Sequence, residues 1–340
     1  MALSLFSGCG GDTLGLEKAG VKVLAFSEIN NVFASSHLSN FPHSVHLSGN
    51  ITDINFSHYK DKIIFLFAGF PCQGFSHAGK KDPKDPRNQL YKQFIRVAKE
   101  TRPLYILGEN VKGLETMKAS ADGELIIDCI KEEFGAIGYS TIHKVFDTTF
   151  FGVPQKRKRV LIVGWDTTQV KSFPCDFWNR IKSTETLPTL RSFISNSMEG
   201  AFLLPRPVPN GFDKIALEVA DDAVPTGTPH PYVVLKATAG LLSCSKRDSP
   251  IHSEVMDLDA PSKTIICTYG HQPRLLVGLR KRDGTAFVRA MTPDELKQIQ
   301  GFPANYIVNG NVSKKITQIG NAAPPPMIEA VVRTLLEIQT

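Results

Sequence analysis

Cys72 stands between Pro71 and Gln73, just where the apolar run "IIFLFAG" ends, and Gly74, Gly79, Lys80, Lys81, Lys84 and Arg87 follow it. A cysteine after an apolar strand is most often buried and inert. Here the glycines and prolines mark an irregular loop, and the nearby cations would favour a thiolate and attract polyanions. On these residues alone, a buried thiol and a nucleophile on a basic loop both stay open. Other groups that could do chemistry end other apolar runs. "FSGCGG", Phe6 to Gly11, follows the first run. Its glycines permit a sharp turn and a close approach by a ligand, and the next helix offers its N-terminus to a carboxylate or phosphate. Glu28 in "AFSEIN" lies about 20 residues on, where a carboxylate can accept both hydroxyls of a ribose. The pairing favours an adenosine-type cofactor, and the departure from G-x-G-x-x-G counts against NAD. Glu109 and Asn110 close "LYILGEN", although such residues equally often cap a helix. In "QKRKR" a period of two puts Gln155, Arg157 and Arg159 on one side and Lys156 and Lys158 on the other. A charge run is usually a solvated face, but an arginine on the ligand side can hold a carbonyl oxygen or a phosphate.

The elements that must position these groups alternate in type. Strand-like "ALSLF", "VKVLAFSE", "IIFLFAG" and "LYILGEN" are interleaved with helical patterns. In "LYKQFIRVAKE" Leu90, Phe94 and Val97 share a face, and in "DGELIIDCIKEEFGAIGY" Leu125, Ile126, Cys129, Ile130 and Phe134 recur at helical spacing. "STIHKVFD" and "RVLIVGW" complete the series. Such alternation implies an α/β fold with a parallel sheet covered on both faces, whose ligands sit beyond the C-terminal strand ends. Gly8–Gly11, Glu28, Cys72 and Glu109 all fall at such ends, and this convergence strengthens each of them. After Trp165 the texture becomes richer in Pro, Ser and Thr and the rhythm is lost. It returns at "TPDELKQIQGF", where Thr292 and Glu295 form a capping box, and a further helix is expected in or after "PPPMIEAVVRTLLEI". The expected division is 1–165, an inserted module 166–284, and a return to the first domain over 285–340.

At 340 residues and 42% hydrophobic composition the chain can bury a substantial core. No apolar run reaches the ~18 residues needed to span a bilayer, and the strand-like start leaves no room for a signal segment, so a cytoplasmic protein is expected. Six scattered cysteines without a C-x-x-C pair argue against zinc and against a disulfide framework. The net charge of +6 permits an anionic partner without requiring one.

Taken in order, "FSGCGG", "GFPCQ", "ENV", "QKRKR", "RAMTPDELKQIQGFP" and "QIGNAAPP" resemble the DNA (cytosine-5)-methyltransferases of bacterial restriction–modification systems. The matches run from residue 6 to residue 326 and omit only the inserted module. The resemblance implies a Rossmann-like S-adenosylmethionine-dependent methyltransferase sheet, with the smaller, irregular insertion acting as a target-recognition domain. It implies that Cys72 attacks C6 of a flipped-out cytosine in duplex DNA, so that C5 accepts the methyl group. Glu109, followed by Asn110, would contact N3 and the exocyclic amine, and Arg159, with Arg157, would hold the ring oxygen. Phe6, Gly8, Cys9, Gly10, Gly11, Glu28, Ile29, Asn50, Ile51, Pro71, Leu90, Asn321 and Ala322 would surround S-adenosylmethionine. Gln73, Ser76, Lys80, Lys81, Arg87, Thr264 and Arg274 would face DNA, with Lys246, Arg247 and Gln272 as further candidates for reaching it. No metal is implied. The implied partners are double-stranded DNA and a separately acting restriction endonuclease, and the implied form is a monomer.

The chain departs from the family pattern at four places. Asn50 replaces the usual Asp of "GNITD", with Asp53 a less suitable substitute, and Ile29 replaces an aromatic. Asn88 stands for Gly and Ala323 for Val. None of these removes a reacting group. A tRNA-directed relative of the same fold, or a DNA-binding protein without turnover, are the competing readings. A dehydrogenase would leave "PCQ" and "ENV" unexplained.

Overall fold

A computed structural model describes residues 1–71, 89–118, 123–184, 186–204, 208, 211–228, 235–238, 241–244, 254–270 and 275–339. The first half alternates strands and helices. β1 (Ala2–Leu5), α1 (Gly11–Lys18), β2 (Val23–Ser27), α2 (Asn31–Asn40) and β3 (Val45–Leu47) lead to β4 (Phe65–Ala68). Then come α3 (Tyr91–Thr101), β5 (Tyr105–Val111), α4 (Ile126–Ala136), β6 (Tyr139–Asp147), the short β7 (Gln155–Lys156) and β8 (Lys158–Asp166). The main sheet has seven strands in the order β3-β2-β1-β4-β5-β8-β6. Its central strands are apolar and buried on both faces, as strands with helices above and below must be.

The sheet is mixed, which corrects the expectation of a parallel one. β1 to β5 are parallel, but β8 runs antiparallel to both β5 and β6. The cause lies in the link between β6 and β8. Residues 148–157 hold one turn of 3-10 helix and the two-residue β7, and without a crossover helix the chain can only return antiparallel. The start of β8 therefore lies at the same sheet edge as the end of β5.

Beyond β8 the chain builds a smaller lobe. The short helix α5 (Phe177–Arg180) still packs on the main-sheet core, with Phe177 in the same apolar cluster as Phe146 and Val163. After it come α6 (Phe212–Ile215) and the strands β9 (Phe202–Leu203), β10 (Leu217–Glu218), β11 (Leu235–Thr238), β12 (Leu241–Cys244), β13 (Glu254–Val255), β14 (Ser262–Lys263), β15 (Leu275–Arg280) and β16 (Ala286–Ala290). The lobe's sheet runs β10-β15-β16-β9, with β13 also on β15. The β15–β16 hairpin carries this sheet through Ala290, past the expected return at 285.

Three helices end the chain: α7 (Pro293–Ile299), α8 (Val312–Asn321) and α9 (Pro325–Gln339). α7 starts with the expected box, since Thr292 caps Glu295 N and the Glu295 side chain reaches back to Thr292 N. α8 is not foreseen from the sequence, although Asn311 caps it and Val312, Ile316 and Ile319 follow helical spacing. Leu296 and Ile299 of α7 and Ile316 and Ile319 of α8 share one apolar core with Ile194, Val219, Met256 and Val277 of the smaller lobe. Only α9 returns fully to the main sheet, where Met327, Val331 and Leu335 pack with Ala2, Leu16 and Phe65.

Candidate active site

Strand register places the candidate groups along one edge. Leu5 pairs with Ser27 and with Ala68, and Ala68 pairs with Gly108. The next residues in each strand or loop are Phe6, Glu28, Gly69 and Glu109, so four motifs open onto the same crevice.

The loop after β1 is wound tightly. Phe6, Gly8 and Gly10 have φ of 56°, 55° and 88°. A left-handed phenylalanine is strained, and such strain concentrates at ligand sites. Gly8 N–H donates to Glu28 Oε2 at 3.0 Å, and Asn30 N–H donates to Oε1 at 2.7 Å. Each carboxylate oxygen keeps a lone pair for a hydroxyl. Burial raises the Glu28 pKa, and the Asn30 and Gly8 N–H groups only partly offset it. Beside it, Ile29 is 72% exposed and offers an apolar surface. Gly11 admits the C-terminal segment, because a Cβ there would lie 2.4 Å from the Ala323 carbonyl oxygen. The Tyr306 hydroxyl donates to Cys9 O at 2.6 Å and ties the loop to the far end of the chain.

Cys9 does not serve a ligand through its side chain. The thiol is 1% exposed and faces the Gln318 carbonyl of α8. Burial, with Asp12 nearby, pushes it up to about 12. Its neighbours are not foreseen from the sequence. Asp12 is fully enclosed and accepts from the Ser4 and Ser7 hydroxyls, and Ser7 Oγ also meets His37 Nδ1 at 3.1 Å. Burial lifts Asp12 to about 6 against those donors, and burial lowers His37 to about 3. His37 stacks on Phe26, whose strand delivers Glu28. Two serines inside a glycine-rich strand–loop signal only a turn, so nothing in the sequence marks this network.

The remaining cofactor candidates are spread around this edge. Asn50 Oδ1 accepts from Thr52 N–H at 3.2 Å and caps the 3-10 turn Ile51–Asp53, with Ile51 buried and Asn50 exposed. Pro71 is half-buried, and half-buried Leu90 immediately precedes α3. Asn321 is exposed at the end of α8, with half-buried Ala322 next to it.

At the end of β5, Glu109 and Asn110 are 7% and 4% exposed. Antiparallel register sets Glu109 opposite Leu161 and Val111 opposite Arg159. Glu109 and Arg159 are thus diagonal neighbours on one face, with Arg159 Nε 2.8 Å from Glu109 Oε1. The ion pair is close, but its N–H is not aimed along a hydrogen bond, and Oε1 has no hydrogen-bond partner among the described residues. Burial lowers the Arg159 pKa and the Glu109 charge opposes this. Asn110 points elsewhere. Its Nδ2 donates to Phe70 O at 2.9 Å, and its Oδ1 accepts from Val111 N–H.

Arg157 was expected beside Arg159 at the ligand, but its hydrogen bonds run inward. It lies in the break between β7 and β8, is 2% exposed, and donates to Ile265 O at 3.1 Å and Gly320 O at 2.7 Å. Thr264 is exposed, and its hydroxyl donates to Lys156 O at 2.9 Å. Cys72, Gln73, Ser76, Lys80, Lys81, Lys84, Arg87, Lys246, Arg247, Gln272 and Arg274 lie outside the described residues.

A family model described as C-5 cytosine-specific DNA methylase matches residues 1–212 and 246–337. The type II methyltransferase M.Eco47II of Escherichia coli is 29% identical over 348 residues, covering 99% of this chain and 78% of that protein. M.BsuFI of Bacillus subtilis is 29% identical over 339 residues, covering 98% and 72%. Among solved structures, a putative DNA modification methyltransferase encoded within an E. coli prophage superposes with a TM-score of 0.67 at 21% identity, over 99% of both chains. The S. pombe Dnmt2 methyltransferase gives a TM-score of 0.66 at 18% identity over 100% and 99%. A strand-end crevice with a buried glutamate–arginine pair and a strained glycine loop is thus joined to a sequence match over most of the chain, which belongs to the C-5 cytosine-specific DNA methylase family.

Proposed function

We propose that this chain methylates carbon 5 of cytosine within a short specific sequence of double-stranded DNA, as the modification enzyme of a type II restriction system. Family membership carries the reaction class, cytosine-5 methylation of DNA, and S-adenosylmethionine as donor. The sequence specificity, the separate endonuclease and the residue roles are inferences.

The observation that carries the reading is the Glu109–Arg159 pair at the edge where the "GFPCQ" segment begins. Cytosine is a poor electrophile, and its C6 accepts a thiolate only if charge building on the ring is neutralised. In this reading the Cys72 sulfur bonds to C6, and the electron pair of the C5–C6 bond moves onto C5 and the ring. The Glu109 carboxylate takes the exocyclic amine and stabilises a protonated N3, while Arg159 holds the ring oxygen. The base must leave the stack to reach them. Asn110 keeps the approach to Cys72 in place through Phe70 O.

The residues present fit the cofactor. The carboxylate of Glu28 is steadied by two backbone N–H groups, and exposed Ile29 offers a face for a purine. Open space where Gly8 would carry a Cβ leaves room beside it. When bound, S-adenosylmethionine supplies the methyl group. In this assignment Phe6, Gly8, Glu28, Ile29, Asn50, Asn321 and Ala322 hold it.

The test is bisulfite sequencing of plasmid from cells expressing the wild type and Cys72→Ser. Protected cytosines should recur in one short context with the wild type and vanish with the variant. An active serine variant would refute the assigned nucleophile. Preferential labelling of tRNA over plasmid would move the substrate to RNA.

A further inference from the structure

Two fully buried glutamines outside the catalytic crevice connect places that the function keeps separate. Gln155 of β7 and Gln300 at the end of α7 are both 0% exposed. Ile265 N–H donates to Gln155 Oε1 at 3.0 Å, Gln155 Nε2 donates to Gln300 Oε1 at 2.6 Å, and Gln300 Nε2 donates to Ala322 O at 2.7 Å. The direction of this chain is forced. Its first member is a backbone N–H that can only donate, and its last is a carbonyl that can only accept. Neither amide can flip without placing two acceptors or two donors face to face. A second strut runs alongside, from Ile265 O through the Arg157 guanidinium to Gly320 O. One residue of the smaller lobe is therefore gripped at both its N–H and its C=O, and both grips end on the turn that carries Asn321 and Ala322.

The positions at the two ends give this a use. Ile265 follows Thr264, and β14 pairs in parallel with β7, the strand that leads to Arg159. Thr264 is exposed there and is held to Lys156 O. Ala322 and Asn321 lie across from the glycine loop, where Ala323 O fills the space that a Cβ on Gly11 would need. Resting on the reading that Asn321 and Ala322 wall the cofactor site and Thr264 faces DNA, we propose that Gln155 and Gln300 are positioning residues. They set the C-terminal wall of the S-adenosylmethionine pocket from the DNA-facing strand, so that ordering one end orders the other.

An isosteric carboxylate separates this from simple packing. In Gln300→Glu the shape is kept and the side chain still accepts from Gln155, but its ionised form cannot donate to Ala322 O, and its neutral form can do so only by taking up a proton, which makes the effect grow with pH. A buried acceptor left without its donor costs affinity of roughly 5- to 150-fold when bound geometry depends on it. Titration of S-adenosylhomocysteine into the folded protein should show at least an approximately fivefold weaker Kd for Gln300→Glu. Gln298→Glu, which changes charge on the same helix outside the relay, should leave it unchanged. Hydrogen exchange supplies the second readout: S-adenosylhomocysteine should slow exchange of the Ile265 amide in the wild type and not in Gln300→Glu. If Gln300→Glu does not fold, Gln300→Met, which removes the donor without adding charge, is scored in the same two ways. A wild-type Kd in the relay variant, an equal loss in Gln298→Glu, or an Ile265 amide indifferent to the ligand would each overturn the proposal. A wild-type chain that binds no S-adenosylhomocysteine overturns the cofactor assignment beneath it, and this inference with it.

Discussion

Replacing Asn110 tests whether the end of β5 positions the nucleophile segment. Its Nδ2–H bond to Phe70 O spans the gap between two neighbouring strand ends, and both residues are 4% exposed. Asn110→Ala leaves a buried carbonyl without its donor, at about 1–3 kcal/mol. Asn110→Asp keeps the acceptor used by Val111 N–H but turns a carboxylate oxygen toward the carbonyl, so it should be the more damaging of the two. If the whole cost falls on the transition state, adduct formation slows by roughly 5- to 150-fold. The assay is trapping of the covalent complex on a duplex carrying 5-fluorocytosine at the methylated position, followed by rate under single turnover. S-adenosylhomocysteine affinity should be unchanged, because the Asn110 side chain bonds to Phe70 and Val111 and not to a cofactor candidate. Wild-type trapping by Asn110→Asp would refute the positioning role, and a cofactor affinity that falls in step with the rate would show a general disturbance instead.

Two further perturbations address the framework. Asp12 is held at about 6, above its ordinary 3.8, chiefly by burial. A raised carboxylate favours the folded state most below its unfolded pKa, and that contribution is lost as pH rises through the folded value. The unfolding free energy of Asp12→Asn minus that of the wild type should therefore grow by roughly 2–2.5 kcal/mol between pH 4 and pH 7. Urea titrations at several pH values measure it, and parallel pH curves for the two proteins would contradict the assignment. Arg289 and Glu295 form an ion pair that is 0% and 5% exposed, with Arg289 also donating to Ser195 O and Ser197 O. Burial would raise the Glu295 pKa, but hydrogen bonds and charge from Arg289 hold it below the ordinary value. Arg289→Met should cost about 3–5 kcal/mol by stranding that carboxylate. A loss of only about 1 kcal/mol in urea unfolding, as for an exposed pair, would show that the site hydrates.

What the sequence conveyed follows from how local each signal is. The β–α alternation, the strand-end placement of Glu28 and Glu109 and the Thr292 box depend on neighbours a few residues apart, and periodicity reports those directly. The period of two through "QKRKR" also held, since Gln155 and Arg157 are buried while Lys156 and Lys158 are exposed. What periodicity cannot report is the partner. Arg157 and Arg159 look equivalent in sequence, yet one ends on carbonyls 108 and 163 residues away and the other on Glu109. Cys9 reads as part of a ligand loop and is instead clamped against α8, 309 residues on. The reversal of β8 depends on the absence of a crossover helix after β6, a feature that alternating patterns conceal.

The smaller lobe is not a bead strung on a linker, and this bears on how the enzyme can work. The apolar core beneath α7 and α8 includes Cys9 of the glycine loop and Phe41 at the end of α2 together with Leu275 and Val277 from β15. Polar ties repeat the pattern: Ser36 Oγ donates to Gln318 Oε1 at 2.6 Å, and Asn40 donates to Ile307 O at 2.8 Å. A close-packed interior resists small relative shifts, because a gap too narrow for water forfeits dispersion attraction and gains nothing in return. Hinging the α7–α8 unit away from the glycine loop is therefore costly. In this fold α2, α8 and the loop after β1 are packed together as one wall, tied by Ser36–Gln318 and by Tyr306 on Cys9 O, so they should move as a unit if they move at all.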